Sequence, residues 1–404
     1  YVMCAVPFGN EAVFVDGISK PQVYTLKTGA VTTLESTTAG KVPELPKLVE
    51  FWRKRLVLAR FADDPTAAVF SALDNIRDWD TSPPELLSTS AVPLNNSRPG
   101  VAPDIINAII PYSDDIMVIG GDHTIQRLTG DPLDGGQLDE VTRDLGIAFG
   151  RPYCKDSKGR LFFFGSPPGL YGLIPVPGQL PEPLTRDTLD DTELGEVDLE
   201  THYIRLYWDE RERGVHIYQV PFGAGGTAVN HWFWEEKTHD LVQRPPIWTD
   251  TYALSTLQPT AAVELDGDAA DDRVFIVGCE DGYLREVSAT ALDDDGSGID
   301  SKFVIGPIRD GGNDRVSLVE MEAVFDTDYH GARYEYFSGE TPVSLGPIVA
   351  SGELVNGYNE TVRKRVSGNN VWVRVRNAQA AERWTLESLR GTILNDGRKQ
   401  RRRG

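Results

Sequence analysis

Six histidines offer the first chemistry to weigh: His123, His202, His216, His231, His239 and His330. A metal centre needs ligands at a spacing that one turn or one strand pair can gather, as in His-Glu-x-x-His or Cys-x-x-Cys. Neither pattern occurs, and the aromatic strand pattern His231-Trp-Phe-Trp234 separates His231 from His239. Each histidine is therefore expected to be structural or superficial. No Gly-x-Ser-x-Gly elbow presents a hydrolase serine. Phe222-Gly-Ala-Gly-Gly226 has the glycines of a phosphate loop, but such a loop must run into a helix amino terminus. Here a strand pattern follows, so a plain turn is expected. Asp293-Asp-Asp-Gly-Ser-Gly298 alternates oxygen ligands as a calcium loop does. The closing bidentate Glu is absent, with Val304 at its place, and a solvated linker is the expectation. Paired carboxylates such as Glu235-Glu236 are a coincidence to be expected among 61 acidic residues. No catalytic residue, cofactor or metal ligand is assigned, and the chain reads as no enzyme.

The elements around these residues are strands. Asp114-Asp115-Ile-Met-Val-Ile-Gly-Gly-Asp-His-Thr-Ile-Gln-Arg-Leu128 returns as Asp271-Asp272-Arg-Val-Phe-Ile-Val-Gly-Cys-Glu-Asp-Gly-Tyr-Leu-Arg285. Both copies read as acidic turn, apolar strand, polar turn and second strand. Strand clusters recur near 12–35, 51–82, 106–130, 150–176, 203–243 and 250–287, the interval expected of radially repeated small sheets. The clearest helical stretch is Pro46–Lys54, and Thr188–Thr201 reads as an acidic excursion between sheets. Beyond Asp293–Gly298 the strands lengthen and alternate strictly, as in Val371-Trp-Val-Arg-Val-Arg376. The expected fold class is all-β: a β-propeller of about six blades over 1–292, a β-sandwich-like domain over 300–395, and a basic tail over 396–404. No window approaches the roughly 20 apolar residues of a membrane-spanning helix. Cys4, Cys154 and Cys279 lie far apart in apolar strand patterns and are expected as buried free thiols.

A net charge of −21 excludes wrapping of nucleic acid through phosphate neutralisation over most of the surface. The exception is the tail, where Arg398, Lys399, Arg401, Arg402 and Arg403 form a compact basic cluster. It reads either as a solvated terminus or as a docking strand for an acidic neighbour, such as another copy of this chain.

Cys154-Lys-Asp156-Ser-Lys-Gly159-Arg-Leu-Phe162 resembles a degenerate Asp-box, the structural hairpin turn of sialidase-like propellers. A sialidase would also need an Arg cluster, a Tyr nucleophile and an acid, and no such constellation stands out. A broader resemblance rests on Leu56-Val-Leu-Ala59 followed by Ala68-Val-Phe-Ser-Ala-Leu-Asp-Asn-Ile-Arg-Asp-Trp-Asp80, on Gly165-Ser-Pro-Pro-Gly-Leu-Tyr-Gly-Leu173, and on Trp372-Val-Arg-Val-Arg376 with Trp384-Thr-Leu-Glu-Ser-Leu389 and Gly397-Arg398. These resemble patterns in the tail nozzle, the tail-tube-extending propeller protein of short-tailed double-stranded DNA phages. The resemblance implies a structural virion protein that forms a homo-oligomeric, hexameric ring around the DNA exit channel. Its expected partners are other tail proteins (adaptor, fibres) and DNA that passes without specific binding. The alternative is a carbohydrate-binding, receptor-binding propeller, which exposed Trp79, Trp232, Trp234 and Trp248 would favour.

Overall fold

The computed structural model describes residues 3–96, 100–186, 188–189, 197–223, 230–237, 247–250, 257–265, 267, 273–288, 290–309, 315–326, 331–342, 344–359, 365–379 and 381–395. The described chain is all-β; its helical content is one short 3-10 turn, Leu94–Asn96. It divides into two units, Tyr1–Thr251 with Gln258–Glu286, and Tyr252–Leu257 with Val287–Gly404. The division falls a few residues before the boundary expected from Asp293–Gly298.

The first unit contains six small antiparallel sheets in chain order, spanning 4–33, 48–93, 108–142, 146–183, 202–250 and 259–287. Five of these sheets are meanders, with the first strand paired to the second and the second to the third; in the fourth, Gly146–Ile147 and Tyr153–Lys155 both pair with Leu161–Ser166. The duplicated hairpins hold equivalent places, since Ile116–Gly120 with Ile125–Thr129, and Val274–Cys279 with Leu284–Val287, are the second and third strands of their sheets.

Why the sheets stack is legible in the strand Leu161–Ser166. Its Leu161 and Phe163 join a core with Ala108, Ile110 and Val118 of the third sheet. Phe162 and Phe164 point the other way, into a core with Ile204, Leu206, Val215 and Ile217 of the fifth. The period-2 alternation of a strand therefore serves two cores, one on each face. All four side chains are fully buried, and each contributes roughly 1.5–3 kcal/mol of transfer free energy against the entropy of ordering the chain. The third sheet repeats the rule: Met117 and Ile119 enter the core of the first two sheets, while Val118 faces the fourth.

The stretch 46–54, expected as a helix, is a strand, Leu48–Trp52, that turns through Arg53 (φ 48°) and Lys54 (φ 60°) into Arg55–Ala59. Positive φ at both central residues is the geometry of a tight hairpin whose twist suits the flanking strands. The misreading has a physical cause. Leu48, Val49, Glu50 and Trp52 are all buried, and a strand covered on both faces loses its alternation.

The second unit holds two four-stranded antiparallel sheets. One has the order Lys302–Ile308, Asn370–Asn377, Ala332–Gly339, Ile348–Leu354. In the other, Val316–Phe325 lies between Leu386–Asn395 on one side and Tyr358–Asn359 with Val366–Gly368 on the other. A single core joins them, with Leu318, Met321 and Phe325 from the second sheet meeting Tyr334, Tyr336, Val373 and Val375 from the first. Asp293–Gly298, expected as a solvated linker, is a two-stranded hairpin, with Asp293 opposite Gly298. Asp295 (φ 50°) and Gly296 (φ 86°) form its turn, and the Asp293 carboxylate accepts the Gly296 N–H at 2.7 Å. That carboxylate is thus committed to its own backbone.

Candidate functional site

Side chains from strands at or near the start of several sheets meet in one place within the first unit. Glu50 comes from Leu48–Trp52 of the second sheet, Tyr153 from Tyr153–Lys155 of the fourth, and Arg205 from His202–Asp209 of the fifth. One Glu50 carboxylate oxygen accepts from Arg151 Nε at 2.7 Å, from Arg151 Nη2 and from the Tyr153 hydroxyl at 2.5 Å. The Ile109 carbonyl of the third sheet lies 3.3 Å from the same hydroxyl. Arg205 Nη2 donates to the Met3 carbonyl, just ahead of the first sheet, at 3.3 Å. These groups surround a cavity of about 560 Å³, lined also by Lys155 and Glu264.

Burial pushes the Glu50 carboxyl upward, opposed by Arg151 and by the Tyr153 hydroxyl. Burial works in the opposite sense on Arg151, but the adjacent Glu50 overcomes it and holds the guanidinium above its ordinary value. Burial, then Glu50, drives the Tyr153 phenol well above its ordinary value. A phenol kept protonated donates a hydrogen bond and makes a poor nucleophile. Glu50 is tied by two guanidinium donors, so the cluster is electrostatically closed on itself. It carries residue types that a sialidase would need, and its hydrogen bonds tie three sheets together.

A larger cavity, about 890 Å³, lies where the chain enters these strands. Asn107 at its wall donates to Asp122 at 2.5 Å and accepts from Arg60 Nη1. The Arg60 guanidinium sits 4.3 Å from the Phe149 ring centre, a cation–π contact. Phe222, Glu200 and His123 complete the rim.

The residues singled out from sequence fall as follows. Trp79 is buried and donates from Nε1 to the Ile76 carbonyl at 2.8 Å; Trp232 and Trp234 are buried too. The expectation that these three would be exposed is corrected: their indoles fill the spaces between sheets and at a turn. Nothing is stated of the Trp248 side chain, which lies outside the described residues. His216 and His231 are a buried pair, with ring nitrogens 2.9 Å apart and His216 Nε2 3.5 Å from Asp209 Oδ2. They stack with Tyr218 and Phe275 between the fifth and sixth sheets. Asp156 accepts the backbone N–H of Lys158 at 2.9 Å and of Arg160 at 2.7 Å, with Gly159 at φ 83°, so the degenerate Asp-box is a working turn. Cys4 and Cys279 are buried, Cys154 is partly so, and among the described residues none of the three is in a disulfide. His239, His330, 224–226 and the basic residues Arg398, Lys399, Arg401, Arg402 and Arg403 lie outside the described residues. Sequence reasoning missed Glu50, Tyr153 and Arg205. Their only signal was a charge inside an apolar strand, as in Val49-Glu50-Phe51 and Ile204-Arg205-Leu206.

No family model and no curated protein matches the chain. Its fold is similar to that of the extracellular domain of a Bacteroides thetaiotaomicron protein described as a hybrid two-component system, with a TM-score of 0.41 and 11% identity over 87% of this chain and 41% of that one. A second extracellular domain from that organism, from a one-component system, gives a TM-score of 0.35 and 11% identity over 70% of this chain and 39% of that one. The chain thus spans about two fifths of the length of each. An exo-β-1,3-galactanase from Phanerochaete chrysosporium gives 0.30 and 10% identity, over 96% of this chain and 95% of that one. Likeness this remote carries neither a finer fold nor an activity across to this chain.

Proposed function

We propose that this chain is a structural protein of a phage tail, a ring-forming subunit around the DNA exit channel that touches neighbouring tail proteins and performs no catalysis. In this reading the six stacked sheets form a six-bladed propeller, and the two sheets of the second unit form a β-sandwich-like domain. The observation that carries it is the pattern Leu56–Ala59 followed by Ala68–Asp80, which resembles tail nozzle proteins. Its Ser71 and Trp79 act as framework: both are buried and bonded to backbone groups of the same sheet and its loops, as is Arg55 immediately before the pattern. A signature of that kind belongs to a scaffold rather than to a reaction. The overall charge of −21 is the second support, since a wall that repels phosphates offers DNA no sticking points. Against the carbohydrate-binding alternative stands the burial of Trp79, Trp232 and Trp234, which removes the aromatic platforms it relied on.

Electron microscopy of the purified chain, alone and with tail partners, tests the reading. A closed ring with a central channel is expected. A monomer at all concentrations that binds glycans on an array would overturn it.

A further inference from the structure

We infer that the central cavity of the first unit binds a small oxyanion, a carboxylate or a phosphate, between Arg205 and Lys155. The inference does not depend on the tail reading. It starts from the balance of charge in the cavity wall. Arg151 answers Glu50, and Arg273 Nε lies 3.2 Å from Glu264 Oε1. That leaves Arg205 and Lys155. Among the described residues neither has a carboxylate within ion-pair distance. Lys155 Nζ donates only to the carbonyls of Pro111 and Tyr112, at 3.2 and 3.1 Å. Arg205 gives one long bond to the Met3 carbonyl, and its guanidinium carbon stands 5.3 Å from the Tyr203 ring centre.

Arg205 Nε is buried and has no acceptor among the described residues. An unsatisfied buried donor is costly, more so when it belongs to a cation. Two cations lacking carboxylate partners, facing one cavity of about 560 Å³ in a chain of charge −21, call for an anionic acceptor. The guanidinium fork matches the paired oxygens of a carboxylate or phosphate, and the ammonium supplies a second, less directional charge. The cavity accommodates an ion of a few heavy atoms with room to spare. The neighbouring Glu50–Arg151–Tyr153 cluster is already closed, so it anchors the wall without competing for the ion.

Isothermal titration of the full chain at low chloride tests this, with inorganic phosphate in one arm and malonate in the other. One-site saturable binding of either is expected, and the arm that binds more tightly identifies the ion's class. Arg205→Gln should weaken it about tenfold or more, and Lys155→Gln several-fold. Lys54→Gln, which removes an exposed charge paired with Asp74, should leave it unchanged. Arg205→Lys serves as the second variant if the glutamine form does not fold, and should retain binding at reduced affinity. Absence of saturable binding in both arms would mean that water satisfies Arg205. That outcome, or undiminished binding in Arg205→Gln, overturns the proposal.

Discussion

Replacing Arg55, which immediately precedes the Leu56–Asp80 pattern, by Met tests whether this stretch serves as framework. Arg55 is fully buried, and its Nη1 donates to the Ser71 carbonyl at 2.8 Å and to the Ser90 carbonyl at 2.7 Å. Nη2 donates to the Ser88 carbonyl at 2.5 Å, and Nε lies 3.5 Å from Asp131 Oδ2 of the third sheet. One side chain therefore ties the second strand of a sheet to its 88–90 loop and to the next sheet. Methionine fills much of the volume but leaves three acceptors behind. Ser71 is wholly buried, so its orphaned carbonyl costs about 2 kcal/mol, while the more exposed Ser88 and Ser90 can turn to water and together cost about 1 kcal/mol. The expected loss is about 3 kcal/mol, or a fall in the melting temperature of roughly 5 °C for a unit of this size. Differential scanning calorimetry of the full chain reads it directly. Arg55→Lys should lose more than half as much, because an ammonium cannot fork to three carbonyls. Arg53→Gln, which breaks partly exposed pairs with Asp115 and Asp131, should cost no more than about 1 kcal/mol. If Arg55→Met costs less than about 1 kcal/mol, or no more than Arg53→Gln, the side chain is not a fastener and the framework reading of the pattern fails.

Gly40→Ala should abolish folding of the first unit or cost more than about 3 kcal/mol, since a Cβ there would sit 2.1 Å from the Trp79 carbonyl oxygen; soluble yield and melting temperature measure it, and a near-normal variant would show that the Trp79 turn moves freely. Burial alone would raise the Asp209 carboxyl, but His216, the Glu212 N–H and Arg211 together hold it below its ordinary value. A depressed folded value stabilises above the unfolded one, near 3.9, and that contribution disappears as pH falls through the folded value. Asp209→Asn should therefore be less stable than wild type at pH 7, and the gap should close as pH falls through the folded value, as urea unfolding across an acid pH series would show; a gap that does not narrow in acid contradicts the cause given. Deleting 398–403 should weaken ring assembly as added salt does, and sedimentation that is unchanged by deletion at low salt would return the tail to the status of a solvated terminus.

The strand clusters were readable because each sheet is local in sequence: its strands follow one another through tight turns, and the turn residues announce themselves. The duplicated hairpins could be recognised before any coordinates, and both sit at the same two strand positions. Leu48–Trp52 was misread because burial on both faces erases the period that distinguishes strand from helix. The indoles were misplaced for a related reason. Trp79 follows an acidic, polar run that reads as an exposed turn, yet the turn folds back so that the ring closes the core and its Nε1 caps Ile76. The central cluster could not have been found by spacing at all. Glu50 and Tyr153 lie 103 positions apart, on strands of the second and fourth sheets, and they meet only because the sheets bring these strands together.

The buried charges share a logic that bears on what the first unit is built to do. Exchanging a buried ion pair for well-packed apolar groups is often neutral or stabilising, so such pairs are weak devices for stability and better ones for specifying which elements meet. In a stack of similar small sheets, that specification matters. The cores on either face of Leu161–Ser166 are made of interchangeable Ile, Leu, Val and Phe, which would tolerate a neighbour in the wrong order. Glu50 can satisfy its carboxylate only if the fourth sheet brings Arg151 and Tyr153. Asp131 meets Arg55 only if the third sheet lies beside the second. Each such contact penalises a misordered stack by leaving a charge unpaired. The polar interior therefore fixes the order of the sheets, while the apolar alternation on both faces supplies the adhesion. That division of labour suits the rigid structural part proposed above.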